Sequence, residues 1–292
     1  MKRSVALAAL IDTRPDPGSE FSAWLEAQLT DHWSDYQPAD QTGEPDARER
    51  VRAWSVGGVH GLETLVQARP VVRDPSASFI SDFLRVPTQC RLAAYAVAEP
   101  RETVPRLDIA RFQRWVGSCA EDNALALGDD ERAQAEEGSR RIAALRSKLP
   151  GFLLRSLRAN SAREVLFFSF LAHLHEVGGL GVTYASAEQV RTALDRLDED
   201  LGRPATINLF VADGRNLGIL HRGGHLFALL PPAVSRSRRS ITGPVTDARH
   251  IPPAMLFLLA RELPAAGPVT VIEEGVLSVE ARAPVRIARH EA

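Results

Sequence analysis

The residues from Asn208 to Leu230 (Asn-Leu-Phe-Val-Ala-Asp-Gly-Arg-Asn-Leu-Gly-Ile-Leu-His-Arg-Gly-Gly-His-Leu-Phe-Ala-Leu-Leu) restrict the fold more than any other part of the chain. Asn208 to Ala212 is apolar and rich in strand-forming residues. Asp213-Gly214 tolerates the positive φ of a tight turn, so Leu217 to Leu220 is expected to return beside the first strand. Arg222-Gly223-Gly224 offers a second turn, and His225 to Leu230 reads as a third strand. The expectation is a three-stranded meander with helical patterns before it and more strands after it.

Composition narrows the classes open to such a chain. At 292 residues with 45% apolar residues it can bury one large core, which excludes global disorder. A net charge of −2 gives no general attraction to nucleic acid or to anionic lipid. The basic residues are almost all arginine, Lys2 and Lys148 being the lysines, which reads as genome composition. No apolar run is long enough to span a bilayer, and the run after Lys2-Arg3 is short for a signal peptide and lacks a clean cleavage pattern. Cys90 and Cys119 make neither a disulfide framework nor a zinc site. A single domain over 1–292, cytoplasmic, with no metal and no cofactor, is expected.

The remaining elements follow from periodicity. Val5 to Ile11 reads as a buried strand. Ser19 opens a helix carrying Phe21, Trp24, Leu25 and Leu29, and residues 34–50 read as a polar loop. Val51–Val56 and Leu62–Ala68 read as paired strands around Gly57–Gly61, and Asp74 as the start of a helix with Phe79, Ile80, Phe83 and Leu84 on one face. Arg91–Ala98 and Phe112–Gly117 read as further strands, and Asp129–Lys148 as a solvated helix. Asn160–Val177 is apolar nearly all round and predicts a helix buried on several sides, whereas Ser186–Leu201 is amphipathic through Val190, Ala193, Leu194 and Leu197. Met255–Leu263 is apolar, and strands are expected near Val269–Ile272 and Gly275–Val279. Strands, then two central helices, then strands again suit two sheets packed between helical layers.

Taken in order, these segments resemble the class II glutamine amidotransferases, of N-terminal-nucleophile hydrolase fold, in the small stand-alone form typified by the ergothioneine-pathway amidohydrolase. The resemblance covers nearly the whole chain and implies an α+β, four-layer αββα sandwich of two mainly antiparallel sheets. It implies glutamine hydrolysis only if the family's reactive residues are present. The family opens Met-Cys-Arg-Leu-Leu-Ala-Leu and uses the cysteine, freed by removal of Met, as nucleophile with its own α-amino group as base. This chain opens Met1-Lys2-Arg3-Ser4-Val5-Ala6-Leu7, with Lys2 at the cysteine position and a second residue that blocks removal of Met. In the family strand Leu-Ala-His-Val-Arg-Ala-Ala the arginine clamps the substrate carboxylate. The matching Leu92-Ala-Ala-Tyr-Ala-Val-Ala98 has Ala94 at the histidine and Ala96 at the arginine. The family segment Arg-Trp-x-Phe-x-His-Asn-Gly supplies the oxyanion hole. Here Arg114-Trp115 remains, and Cys119, Ala120 and Glu121 replace His-Asn-Gly. In Thr-Asp-Ser-Glu-x-Leu-Phe the aspartate holds the substrate ammonium. Here Ala162 stands at the aspartate, Arg163 beside it, and Glu164, Leu166 and Phe167 match. No catalytic residue is assigned; Lys2, Arg3, Ala94, Ala96, Cys119, Ala120, Glu121, Ala162 and Arg163 mark a vestigial pocket.

Simpler readings stand beside the sharp ones. Cys119 is a displaced nucleophile or, more simply, a small filler. Ser4 becomes a nucleophile only if Met-Lys-Arg is clipped. His173 and His175 point to different helix faces and make no metal pair, and His221 and His225 read as a polar pair across the Gly223-Gly224 turn. Arg236, Arg238 and Arg239 form a solvated loop or a contact for an acidic partner. The expected function is that of a catalytically inactive amidotransferase-like binding, scaffolding or regulatory subunit, whose protein partner is an active enzyme subunit or a second copy. An enzyme of altered chemistry using Glu121, Cys119 or Lys2, and a small-molecule sensor, are the alternatives.

Overall fold

The computed structural model describes residues 5–12, 18–34, 51–60, 63–71, 83, 89–98, 109–121, 131–158, 161–202, 207–231, 254–260 and 269–281. Two sheets carry the fold. Strands β1 (Val5–Asp12), β2 (Val51–His60), β3 (Glu63–Val71), β4 (Cys90–Ala98), β9 (His225–Leu229), β10 (Ala254–Ala260) and β11 (Val269–Ile272) form the first, in the order β11-β9-β10-β1-β4-β2-β3. Strands β5 (Ala110–Phe112), β6 (Trp115–Glu121), β7 (Ile207–Ala212), β8 (Asn216–His221) and β12 (Gly275–Glu280) form the second, in the order β12-β8-β7-β6-β5. Each described strand pairing is antiparallel.

Alternation along the strands builds three cores. Leu7, Ala9 and Ile11 of β1 face the second sheet, with Cys90, Leu92 and Ala94 of β4 and with Phe210, Ala212, Leu217 and Ile219 opposite them. Ala8 and Leu10 face the other way, onto Phe21, Leu25 and Leu29 of helix α1 (Gly18–Ser34). The outer face of the second sheet carries α2 (Glu131–Lys148), α3 (Gly151–Leu154), α4 (Ala162–Glu176) and α5 (Ala187–Leu201). Helix, sheet, sheet and helix make the four-layer αββα sandwich expected from the sequence.

Both central helices sit as their sequences demand. Residues Glu164 to Ala172 of α4 are buried without a break, so this helix is enclosed on several sides. Ser161 caps it by accepting a hydrogen bond from the Glu164 amide. Helix α5 buries Val190, Ala193, Leu194, Leu197 and Leu201 and opens with a reciprocal cap. There the Ser186 hydroxyl accepts from the Gln189 amide at 3.1 Å, and the Gln189 side chain accepts from the Ser186 amide at 2.9 Å. Replacing Ser186 by Ala should cost about 1 kcal/mol, read as a lower urea midpoint at unchanged slope.

Three expectations are corrected. Residues 208–230 do not form a meander: β9 leaves β8 and pairs with β10 and β11 in the other sheet. Gly223 and Gly224 both have positive φ and carry the chain across. The crossing is favoured because β9 is apolar on both faces, with Leu226 and Ala228 toward the space between the sheets and Phe227 and Leu229 toward α1. Next, β2 runs on through Gly57 and Gly58 to His60. Gly57 is needed there because a Cβ would lie 2.8 Å from Ile109 Cγ2. Last, the strand expected at Phe112–Gly117 is a hairpin, β5 and β6, turning at Gln113-Arg114 with Gln113 at φ 48°. The polar loop at 34–50 and the helix starting at Asp74 lie almost wholly outside the described residues.

Candidate functional site

Register and charge identify one end of the sandwich. Cys90 pairs with Ile11, and the Cys90 thiol feels the charge of Asp213, which follows the end of β7. That end holds Ile11, Cys90, Ala212 and Asp213. The opposite end must then join the start of β1 to the finish of β6 and the start of β7. There Val5 pairs with Ala96, Leu7 with Ala94, Ala120 with Asn208, and Glu121 with Ile207. The positions that the resemblance assigns to the carboxylate clamp and the oxyanion hole therefore meet at one end of the space between the sheets.

The described side chains there offer little to a polar substrate. Ala94 and Ala120 are buried in the inter-sheet core beside Leu7. Cys119 turns away from it, into the helix-side core with Val165 and Phe168, so its thiol does not reach this space. Ala162 and Arg163 open α4. Phe170 packs edge-on against Trp115 with ring centroids 5.3 Å apart, and Phe167 fills the space at Gly117. The helix therefore runs antiparallel to β6, and its first turn lies at the same end of the sandwich, on the outer face of the second sheet. Lys2, Arg3, Arg236, Arg238 and Arg239 fall outside the described residues.

Among the described side chains, Asn208 and His221 bring polar groups to this end. Asn208 and His221 are paired across β7 and β8, on the inter-sheet side of the strands, and both are buried. His221 Nδ1 lies 2.6 Å from Asn208 Oδ1, which also accepts from the Arg222 amide, while Asn208 Nδ2 donates to the Gly223 carbonyl. Burial lowers the His221 pKa to about 4, and His225 and Arg222 add to the drop while Glu274 opposes it. The imidazole is thus neutral at pH 7, and Nδ1–H donating to Asn208 leaves Nε2 as the basic nitrogen. The expected His221–His225 pair does not form: His225 is exposed and lies against Phe227, because the chain changes sheets between them. The Asn208–His221 pair could have been read from the sequence. A hairpin closed by Ala212 and Leu217 places residue 208 opposite residue 221 automatically.

The far end is also polar, but it serves the turn. The Asp213 carboxylate accepts from the Arg215 and Asn216 amides and from Asn216 Nδ2. Burial raises its pKa, the hydrogen bonds opposing. Burial, with the Asp213 charge second, pushes the Cys90 thiol well up, so it is a poor nucleophile. Among the described residues no group of three or more His, Cys, Asp or Glu converges as a metal site, and no helix is long and apolar enough to cross a membrane.

No protein-family model and no curated protein matches the sequence. Solved structures do match. A glutamine aminotransferase class-II domain protein from Silicibacter pomeroyi aligns with TM-score 0.43 and 16% identity, over 80% of this chain and 96% of that one. Glutamine phosphoribosylpyrophosphate amidotransferase from B. subtilis aligns with TM-score 0.49 and 8% identity, over 95% of this chain and 48% of that one. A predicted glutamine amidotransferase from Pseudomonas aeruginosa aligns with TM-score 0.41 and 11% identity, over 96% and 94%.

Proposed function

We propose that this chain is a glutamine amidotransferase-like protein that does not hydrolyse glutamine and acts as a cytoplasmic binding, scaffolding or regulatory subunit. The observation that carries the reading is the burial of Ala94 from β4 and Ala120 from β6 in the inter-sheet core, at the end of the sandwich where β4 also carries residue 96. An α-amino acid substrate needs a cation for its carboxylate and an anion for its ammonium. An acyl-transfer step also needs donors aimed at the developing oxyanion, each worth about 10²–10³ in rate. Methyl groups supply none of these. Loss of the polar grips with retention of the αββα core is what a protein kept for its surface would show. Its partner is an active enzyme subunit or a second copy of the chain. Titrating the protein calorimetrically with glutamine is expected to give no saturable heat up to millimolar concentration. Saturable binding weakened by a larger side chain at Ala94 would overturn the reading.

The Asn208–His221 pair supports a second reading, an enzyme of altered acyl- or amide-transfer chemistry. A neutral, orientationally fixed imidazole at the same end is a proton acceptor in place, although burial makes it a weak base. Under that reading His221→Gln abolishes an activity that the wild-type protein shows on some amide or ester. Under the first reading a hydrolase substrate screen is blank for both proteins.

A further inference from the structure

The outer side of the second sheet carries a concavity that neither reading uses. It has a volume of about 540 Å³ and is lined by Arg111, Phe112 and Gln113 of the β5–β6 hairpin and by Arg155, Ser156, Leu157 and Arg158 after α3. The volume lies in the range of small-molecule sites. Phe112 is held in place: its ring packs on Phe168 at 5.6 Å and on Phe152 at 6.3 Å between centroids. The wall of the hollow is tied down by the Glu164 carboxylate, which accepts from the Arg158 amide at 2.8 Å.

Arg111, Arg155 and Arg158 all line this hollow, and none of the ion pairs among the described residues involves them. Elsewhere on the same layer arginines are matched: Arg222 with Asp198, Arg141 with Glu137, Arg196 with Glu176. The nearby acid, Glu164, is buried and accepts from the Arg158 amide, and no ion pair joins it to these arginines. Like charges gathered around one hollow repel one another until an anion enters. Arginine is also the side chain whose planar fork binds two oxygens of one phosphate or carboxylate.

We propose that this concavity binds a small multivalent oxyanion, held by Arg111, Arg155 and Arg158 beside Phe112. Phosphate-bearing and polycarboxylate metabolites share that chemistry, and two probes separate them. The full-length protein is titrated with pyrophosphate and, separately, with citrate in low-salt buffer, with binding followed by calorimetry. At least one probe is expected to bind saturably, and the one that binds more tightly identifies the class. The exposed double substitution Arg155→Gln, Arg158→Gln should weaken that binding by about tenfold or more, and added salt should weaken it further. Arg196→Gln, on the same layer but away from the hollow, should leave it unchanged and serves as the control for general surface charge. No saturable binding of either probe, or equal affinity in the double variant and the wild type, overturns the proposal.

Discussion

Gly117→Ala should destabilise the protein by about 3 kcal/mol, and nearly all of that cost should vanish when Phe167 is also truncated. The added Cβ would sit 2.8 Å from Phe167 Cε2 and closer still to Cδ2. The ring has nowhere to go: it is fully buried and packs edge-on against Phe168 at 5.5 Å. Overpacking of this kind costs about 1–3 kcal/mol and occasionally more. Phe167→Ala alone should cost about 4 kcal/mol, because it opens a cavity between α4 and β6. In that background the alanine at 117 projects into the cavity, so the two changes together should cost about as much as Phe167→Ala alone. Chemical denaturation of the four proteins gives the coupling, expected near 3 kcal/mol. Additive costs would mean that α4 does not lie on β6 at Gly117, and the placement of its first turn at the site end would go with it.

The second large effect is one of pH. The unfolded imidazole titrates near its ordinary 6.5, and the folded His221 titrates at about 4. Above pH 6.5 the ring is neutral in both states and its contribution is fully present. As the pH falls below 6.5 the unfolded chain takes up the proton first, so stability is lost progressively until about pH 4, where the folded ring protonates as well. The loss across that window amounts to about 3 kcal/mol. His221→Gln shifts the whole curve through its effect on Asn208 but should remove this slope, and the difference between the two proteins isolates the histidine. Asp213 acts in the opposite sense, since a carboxyl whose pKa is raised loses stability as pH rises, and it is common to both proteins. Parallel stability curves for wild type and His221→Gln between pH 4 and 6.5 would show that His221 is not buried as described.

Much of the fold was legible because period and punctuation agreed. Ser186 followed by Gln189 and the Val190–Leu197 stripe placed α5, and the unbroken apolar circumference of α4 announced its burial. Glycines were harder to interpret. At 57 the residue serves close packing inside a strand, at 223 and 224 it serves a change of sheet, and local sequence does not separate these uses. The third strand of the apparent meander was misplaced for that reason, and with it the His221–His225 pair. Sheet membership is set by which strand edges are free, and those of β8 are taken by β7 and β12, the latter more than fifty residues on. The alanine positions of the site were readable from the resemblance alone. Strand parity, which sends Cys119 to the helices and Ala120 to the inter-sheet space, needed the registers of β6. The arginine hollow joins a hairpin tip to residues some forty positions later, so it leaves no local signature.

The most direct test of the account is ammonia release from glutamine by the purified full-length protein, followed over hours at micromolar protein. Ammonia should stay at the level of the buffer blank, and a glutamine-mimetic affinity reagent should leave the protein's mass unchanged. Ammonia that rises in proportion to protein, and that the same reagent abolishes as it adds its mass to the chain, would contradict the account and establish the protein as an active glutaminase.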